Sequence, residues 1–314
     1  MKQVIQNLKT GITELIDIPI PILKPGHVLI RTKVSLISAG TEKMLLNFSN
    51  SNYLEKALQQ PERLKEVIDK TKTDGIISTW NSVQNKLDQP ITLGYSNVGE
   101  IIEIGEGVDE FKVGQRVISN GSHGEIVLVP KNLCAVIPNN VSDKEASLVI
   151  LGSIGLQGIR LANPTLGETF LVSGLGLIGI LTSQLLLAQG CNVIGLDIDQ
   201  AKCDLAASLG IETINLSKAS NATSFIFNKT NHLGVDGVII TAQTKSSEPV
   251  HLAAKVCRQR GRIILVGVTG LELNRDLFYK KEITFQVSCS YGPGRYDPKY
   301  EIEGNDYPYG LVRW

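Results

Sequence analysis

Gly174, Gly176 and Gly179 stand in the spacing G-x-G-x-x-G, and Asp197 follows 18 residues after the last of them. These residue types at this spacing can hold a dinucleotide. The first glycine permits a tight turn. The second has no side chain, so a pyrophosphate can come up to the backbone. The third lets a helix pack close to a strand. A carboxylate at the end of the next strand can bind both hydroxyls of an adenine ribose and would repel a 2′-phosphate, so NAD is expected in preference to NADP. The free N–H groups and partial positive charge of a helix N-terminus favour the phosphates. The competing reading is that the glycines serve only a tight strand-to-helix turn.

The flanking elements favour the first reading. Phe170 to Val172 is an apolar run with the character of a buried strand. Leu177, Ile178, Leu181, Leu185 and Leu186 then follow helical spacing, and Asn192 to Leu196 reads as a second strand that ends in Asp197. The motif therefore predicts a cofactor-binding set of Gly174, Leu175, Gly176, Leu177, Ile178 and Gly179, with Asp197 on the ribose and Lys202 flanking the adenine.

Composition limits the alternatives. The 314 residues leave room for two domains of ordinary size, and 42 % hydrophobic content is ample for a core. Lys+Arg and Asp+Glu balance at 31 each, which argues against a nucleic-acid surface. No apolar run reaches membrane-spanning length, and Met1 to Thr10 is mixed and polar, unlike a signal peptide. The five cysteines are scattered without a C-x-x-C, so we read them as reduced, mostly buried thiols of a cytoplasmic protein, with no four-cysteine zinc site.

Along the chain, residues 1–143 read as a β domain. Short strands with glycine and proline turns predict β structure as far as residue 42, and again from Ile91 to Pro138, in a partly closed barrel or sandwich. Between them a helical insert is predicted at about 44–88, either packed on the β domain or capping a substrate cleft. Ser142-Asp143-Lys144-Glu145 resembles a capping box, and a helix over Ala146 to Leu161 opens a second domain, 144–290. Its strands and helices alternate, which predicts a doubly wound parallel sheet, an α/β Rossmann arrangement. A tail at 291–314 is rich in Tyr, Gly and Pro. Tyr291, Tyr296, Tyr307 and Tyr309, with Arg295, suit either a grip on a sugar or nucleotide or the packing of a surface loop.

A β domain followed by an NAD-type Rossmann domain resembles the medium-chain dehydrogenase/reductase superfamily, the zinc-type alcohol dehydrogenases. Ser38-Ala39-Gly40-Thr41-Glu42 sits where that family has Cys-Gly-Thr-Asp, and Leu93-Gly94-Tyr95-Ser96 where it has Gly-His-Glu. Phe111-Lys112-Val113-Gly114-Gln115-Arg116-Val117 matches its Phe-x-x-Gly-Asp-Arg-Val. The resemblance implies a GroES-like β-barrel as the first domain. It places Val268, Ser290 and Tyr291 around the nicotinamide and suggests a homodimer paired through the sixth Rossmann strand. Gln59-Gln60-Pro61, Leu87-Asp88-Gln89-Pro90 and Ser290-Tyr291-Gly292-Pro293-Gly294-Arg295-Tyr296-Asp297-Pro298 look closest to bacterial oxidoreductases fused to a C-terminal unit of the Gfo/Idh/MocA type, encoded among surface-polysaccharide genes. On that likeness the chain is a front portion lacking its fused partner, and the substrate is a sugar or sugar nucleotide.

The family's zinc ligands are missing. By position the first is Ala39, the second Tyr95, and the third falls in Leu151-Gly152-Ser153, so no catalytic zinc is expected. Handling of the alcohol proton then falls to Thr41, which matches the family's relay hydroxyl, to Tyr95, or to His123, which sits where relatives place an aromatic. The bland readings are packing for Tyr95 and a turn histidine for His123, and Glu42 is expected to pair a nearby cation. The function expected is zinc-independent, NAD-dependent hydride transfer on an alcohol or ketone, and the resemblance to the fused bacterial oxidoreductases alone implies that this substrate is sugar-like. The alternatives are a quinone- or enoyl-type reductase, or a non-catalytic NAD-binding scaffold of a larger enzyme.

Overall fold

Alternating apolar residues and glycine turns in the first half of the sequence give antiparallel sheets. A computed structural model describes residues 1–7, 10–50, 90–218 and 221–305. They fall into two compact units, one within Met1–Val149 and one within Ile150–Tyr307.

The first unit contains β1 (Lys2–Gln6), β2 (Thr13–Asp17), β3 (His27–Ser35), β4 (Ile91–Thr92), β5 (Asn97–Ile104), β6 (Arg116–Ser119), β7 (Ile126–Pro130) and β8 (Cys134–Val136). They form a three-stranded sheet, β2-β1-β4, and a five-stranded sheet, β7-β3-β5-β6-β8. Every pairing is antiparallel. Period-two alternation turns Val28, Ile30, Val127 and Val129 inward, where they meet Ile101, Phe111 and Val117. The register of β3 on β5 shifts between Leu29 and Ile30 and again between Thr32 and Val34, and such bulges bend a strand.

Two expectations here need correction. The strand pattern runs to residue 42, but the chain enters helix α1 (Ala39–Asn50) three residues earlier. Glu42 explains this. Its carboxylate accepts the Ser38 N–H at 2.8 Å, and its own N–H donates to the Ser38 carbonyl at 2.9 Å, which closes the first turn. The helix expected from Ala146 is two helices, α2 (Asp143–Ala146) and α3 (Val149–Ala162). The Ser147 hydroxyl between them donates to the Lys144 carbonyl at 2.7 Å, a local bond that competes with helix continuation. The capping box is present, with Ser142 and Glu145 satisfying each other's backbone N–H groups. Beyond residue 50 the predicted insert lies outside the described residues.

The second unit alternates β9 (Thr169–Ser173), α4 (Leu177–Ala188), β10 (Asn192–Asp197), α5 (Gln200–Ser208), β11 (Glu212–Asn215), α6 (Ala222–Lys229), β12 (Val235–Ile240), α7 (Glu248–Val256), β13 (Cys257–Leu265), α8 (Arg275–Lys281) and β14 (Thr284–Val287). All strand pairs are parallel, in the order β11-β10-β9-β12-β13-β14. Parallel strands joined by helices are covered on both faces, so the central strands β9 and β12 are largely apolar and buried. Phe170 and Val172 meet Ile159 of α3, Leu186 of α4 and Ala206 of α5 on one face. Leu171 meets Ile226 of α6 and Val250 and Ala254 of α7 on the other.

Residues 291–305 are more ordered than a surface loop would be. A 3₁₀ turn (Pro293–Tyr296) precedes α9 (Pro298–Glu301), and Glu301 accepts hydrogen bonds from the Tyr291 hydroxyl and, at 2.7 and 2.8 Å, from Arg295. Tyr296 stays 76 % exposed beneath the Arg295 guanidinium. The tail from residue 306, with its last two tyrosines, lies outside the described residues. Cys191, Cys203 and Cys257 are buried free thiols, and Cys289 is exposed. Among the described residues no helix is long and apolar enough to cross a membrane.

Candidate active site

In the second unit the central strands β9 and β12 lie side by side although their connections run to opposite edges of the sheet. The crevice beyond the carboxyl ends of such a pair is where doubly wound sheets take ligands. The three glycines all fall there, for three different reasons. Gly174 has φ +103°, and a Cβ on it would lie 2.6 Å from the Ala242 backbone nitrogen. Gly179 opens onto the Gly174 carbonyl, only 1.8 Å from where its Cβ would stand. Gly176, the N-cap of α4, is exposed, and a Cβ there would meet nothing within 4 Å. The space the second glycine keeps clear is thus open, beside a helix end whose first N–H groups have no intrahelical acceptor. These residues fit the diphosphate of a dinucleotide.

The loop is tied to both neighbouring strands. Thr241 donates from its hydroxyl to the Gly174 carbonyl at 2.5 Å. The Asp197 carboxylate, 8 % exposed, accepts the Leu175 N–H at 2.7 Å and the Asp199 N–H at 3.0 Å. The predicted acid therefore braces the glycine loop as well as closing β10. Lys202 Nζ lies 3.8 Å from Asp197 and is half-exposed. Leu175 is fully buried and its N–H is held by Asp197, so its side chain shapes the loop from within and offers a ligand nothing. Leu177 is exposed and Ile178 half-buried at the start of α4. Val268 is 58 % exposed and its carbonyl accepts the Thr244 N–H at 2.8 Å. Ser290 sits in the left-handed region at φ +44°, a conformation that is uncommon for serine. Burial, and next the Glu301 carboxylate, push the Tyr291 phenol above its ordinary range.

The first unit holds Thr41, Tyr95 and His123. The Tyr95 hydroxyl donates to Thr41 Oγ1 at 3.3 Å, so these two come together. His123 pairs elsewhere. Its Nε2 lies 3.2 Å from Glu42 Oε2 and its Nδ1 2.9 Å from Ser35 Oγ. The cation-capable partner expected for Glu42 is this imidazole. The His123 backbone is clamped on both sides, with its N–H on the Leu93 carbonyl at 2.8 Å and its carbonyl accepting the Val4 N–H at 2.9 Å. Gln3 adds a bond to the same carbonyl at 2.9 Å, and Asn97 holds the Ser122 carbonyl at 3.2 Å. The ring lies against Gly94, where a Cβ would come within 2.6 Å of Cγ and Nδ1. Gly94 also has φ +90°, so close approach and backbone conformation both require glycine.

The donor set does not fit a catalytic zinc. Ala39 offers a methyl group, Tyr95 spends its hydroxyl on Thr41, and Ser153 donates to the Ile150 carbonyl at 2.7 Å beside an apolar Leu151 and a Gly152. Zinc takes thiolate, imidazole or carboxylate, and none of these positions supplies one. Sequence reasoning missed Ser35 and the partner of Glu42. Glu42 and His123 are 81 positions apart in sequence, and nothing local signals their meeting.

Fold and glycine loop together define a dehydrogenase of the NAD(P)-binding type. Two family models match in the same order as the two units: "Alcohol dehydrogenase GroES-like domain" over residues 68–155 and "Zinc-binding dehydrogenase" over residues 178–302. A probable D-xylulose reductase A of Neosartorya fischeri is 25 % identical over 245 residues, covering 66 % of this chain and 68 % of the relative. The fold is shared with the 2R,3R-butanediol dehydrogenase of Bacillus subtilis (TM-score 0.73, 20 % identity, 93 % of this chain and 85 % of that one). It is shared also with a short chain alcohol dehydrogenase of Escherichia coli solved with NADH (TM-score 0.74, 21 % identity, 94 % and 85 %). The two family matches and the shared fold support the medium-chain dehydrogenase/reductase superfamily, zinc-type alcohol dehydrogenase-like, and the chain is an alcohol dehydrogenase-like oxidoreductase.

Proposed function

We propose that the chain transfers a hydride between NAD and a sugar-like alcohol or ketone without a catalytic zinc. The observation that carries this reading is the glycine loop, open at Gly176 and braced by Asp197, where a carboxylate disfavours a 2′-phosphate. In this reading Gly174 to Gly179 bind the pyrophosphate and Asp197 the ribose. Lys202 flanks the adenine, and Val268, Ser290 and Tyr291 bracket the nicotinamide. Bound NAD supplies the hydride acceptor. Thr41, Tyr95 and His123 are the groups that orient the substrate and move its proton.

The kinship with a D-xylulose reductase supports a polyol or ketose substrate. The residues at the three ligand positions support zinc independence. The motif Ser290–Pro298 supports a sugar or sugar nucleotide of surface-polysaccharide synthesis and a C-terminal oxidoreductase partner. The edge position of β14 supports a homodimer. The division into a domain of residues 1–143, a Rossmann domain of 144–290 and a tail from 291 belongs to the same reading.

A titration of the purified protein with NADH and NADPH, followed by nicotinamide fluorescence, tests the cofactor assignment. NADH is expected to bind at least tenfold more tightly. Equal or stronger NADPH binding would instead support a quinone- or enoyl-type reductase. Normal NADH binding, with unchanged turnover by a full-length protein carrying the C-terminal unit after Thr41, Tyr95 and His123 are all made apolar, would favour the scaffold reading.

A further inference from the structure

The groups around His123 fix how its ring can handle a proton. An ionised carboxylate only accepts hydrogen bonds, so the hydrogen between Glu42 Oε2 and His123 Nε2, 3.2 Å apart, belongs to the ring. The other Glu42 oxygen is occupied by the Ser38 N–H at 2.8 Å, which holds the carboxylate in place. In the neutral ring Nδ1 then carries the lone pair, and it faces the Ser35 hydroxyl at 2.9 Å. The two side chains are 10 % and 8 % exposed, so water competes little for these bonds. Gly94 behind the ring and the backbone clamps at Leu93 and Val4 hold it in this orientation. A buried imidazole with a carboxylate on one nitrogen and the hydroxyl of half-buried Ser35 on the other has the polarity of a proton acceptor.

We propose that Glu42 holds His123 as the Nε2–H tautomer, and that Nδ1, reached through the Ser35 hydroxyl, accepts the substrate's proton. This rests on the zinc-independent reading above. In the oxidative direction the carbinol C–H bond breaks, and bound NAD would supply the acceptor for that hydrogen and its electron pair. The alcohol O–H proton passes to Ser35 Oγ while the Ser35 proton passes to Nδ1. The electron pair of the broken O–H bond becomes the second bond of the carbonyl. The ring becomes an imidazolium whose charge Glu42 balances, and reduction runs the same transfers backwards. His123 and Ser35 carry the proton, and Glu42 is a positioning residue.

Imidazole ¹⁵N spectra of the full chain, labelled at histidine, test this at about pH 8.5, where an ordinary imidazole is neutral. His123→Gln identifies the His123 signals. We expect a protonated Nε2 and an unprotonated Nδ1 in wild type, loss of that preference in Glu42→Gln, and its recovery in Glu42→Asp. A protonated Nδ1 in wild type, or an unchanged spectrum in Glu42→Gln, overturns the proposal whether or not a substrate is known. NADH titration of the same variants is expected to match wild type within about twofold. Failure of wild type itself to bind would remove the cofactor reading and leave the spectra to judge the tautomer. With NADH and D-xylulose, His123→Gln is expected to lower kcat about 100-fold or more with KM nearly unchanged, the scale of general acid–base catalysis. Glu42→Gln should lose about tenfold, and Glu42→Asp should regain most of it. Wild-type kcat in His123→Gln would overturn the relay.

Discussion

Replacing Gly176 and Gly179 separately by alanine should have opposite consequences, although both glycines belong to one motif. At Gly179 the new methyl would stand 1.8 Å from the Gly174 carbonyl and 2.8 Å from Thr241 Oγ1. Helix and loop must move apart, which costs about 1–3 kcal/mol as overpacking and about 1 kcal/mol more for the Thr241 bond it strains. For a unit of this size, each kcal/mol lowers the melting temperature by about 2–4 °C, so Gly179→Ala should melt roughly 5–15 °C early. At Gly176 the methyl meets nothing, and φ −69° suits any residue, so stability should stay within about 0.5 kcal/mol of wild type. Its effect should fall on binding. Holding the diphosphate off one or two backbone N–H groups removes charge-assisted bonds of about 1.5–3 kcal/mol each, raising the Kd for NADH at least about tenfold. Thermal unfolding and fluorescence titration of both variants separate the effects. Wild-type NADH affinity in Gly176→Ala, or wild-type stability in Gly179→Ala, would refute this account of the loop.

Asp197→Ser removes the carboxylate that would oppose a 2′-phosphate, so the NADH preference should fall at least about tenfold, read by parallel NADH and NADPH titrations. Tyr291 has a raised pKa in the folded state, so above about pH 10 the unfolded chain binds fewer protons than the native one and stability falls with pH. Melting temperatures between pH 8 and 11 should therefore drop more steeply for wild type than for Tyr291→Phe. Lys281 donates to the carbonyls of Ala254, Lys255 and Cys257 at 3.0, 2.7 and 2.8 Å, closing the end of α7. Lys281→Met should lower unfolding stability by about 1–2 kcal/mol in urea without changing NADH affinity.

What could be read from the sequence was what the chain keeps local. Strand, glycine turn, helix, strand and acid run from Thr169 to Asp197 without interruption, and each residue type states its own requirement. The capping box at Ser142 is legible for the same reason, since its two partners are three residues apart. Two helices escaped notice because their composition is weak. The α6 stretch Ala222–Lys229 has Thr, Ser, Phe and Asn in a short span, and it forms because Asn221 caps it and Ala222 and Ile226 bury one face. Likewise α8 is capped by Asn274 at its start and ended by Glu282 in the left-handed region. His123 was visible as a residue type in a turn. Its chemistry was hidden, because Glu42 and Ser35 reach it only after two sheets and a helix have formed.

Hydride transfer without zinc, as proposed above, can be followed by isotope transfer. Chelator-treated protein would be incubated with D-xylulose and NADH deuterated at the transferable position, with the product examined by mass spectrometry and the protein assayed for zinc. Deuterium is expected on the former carbonyl carbon while zinc stays far below one equivalent. Transfer that disappears on chelation and returns only with added zinc would contradict it.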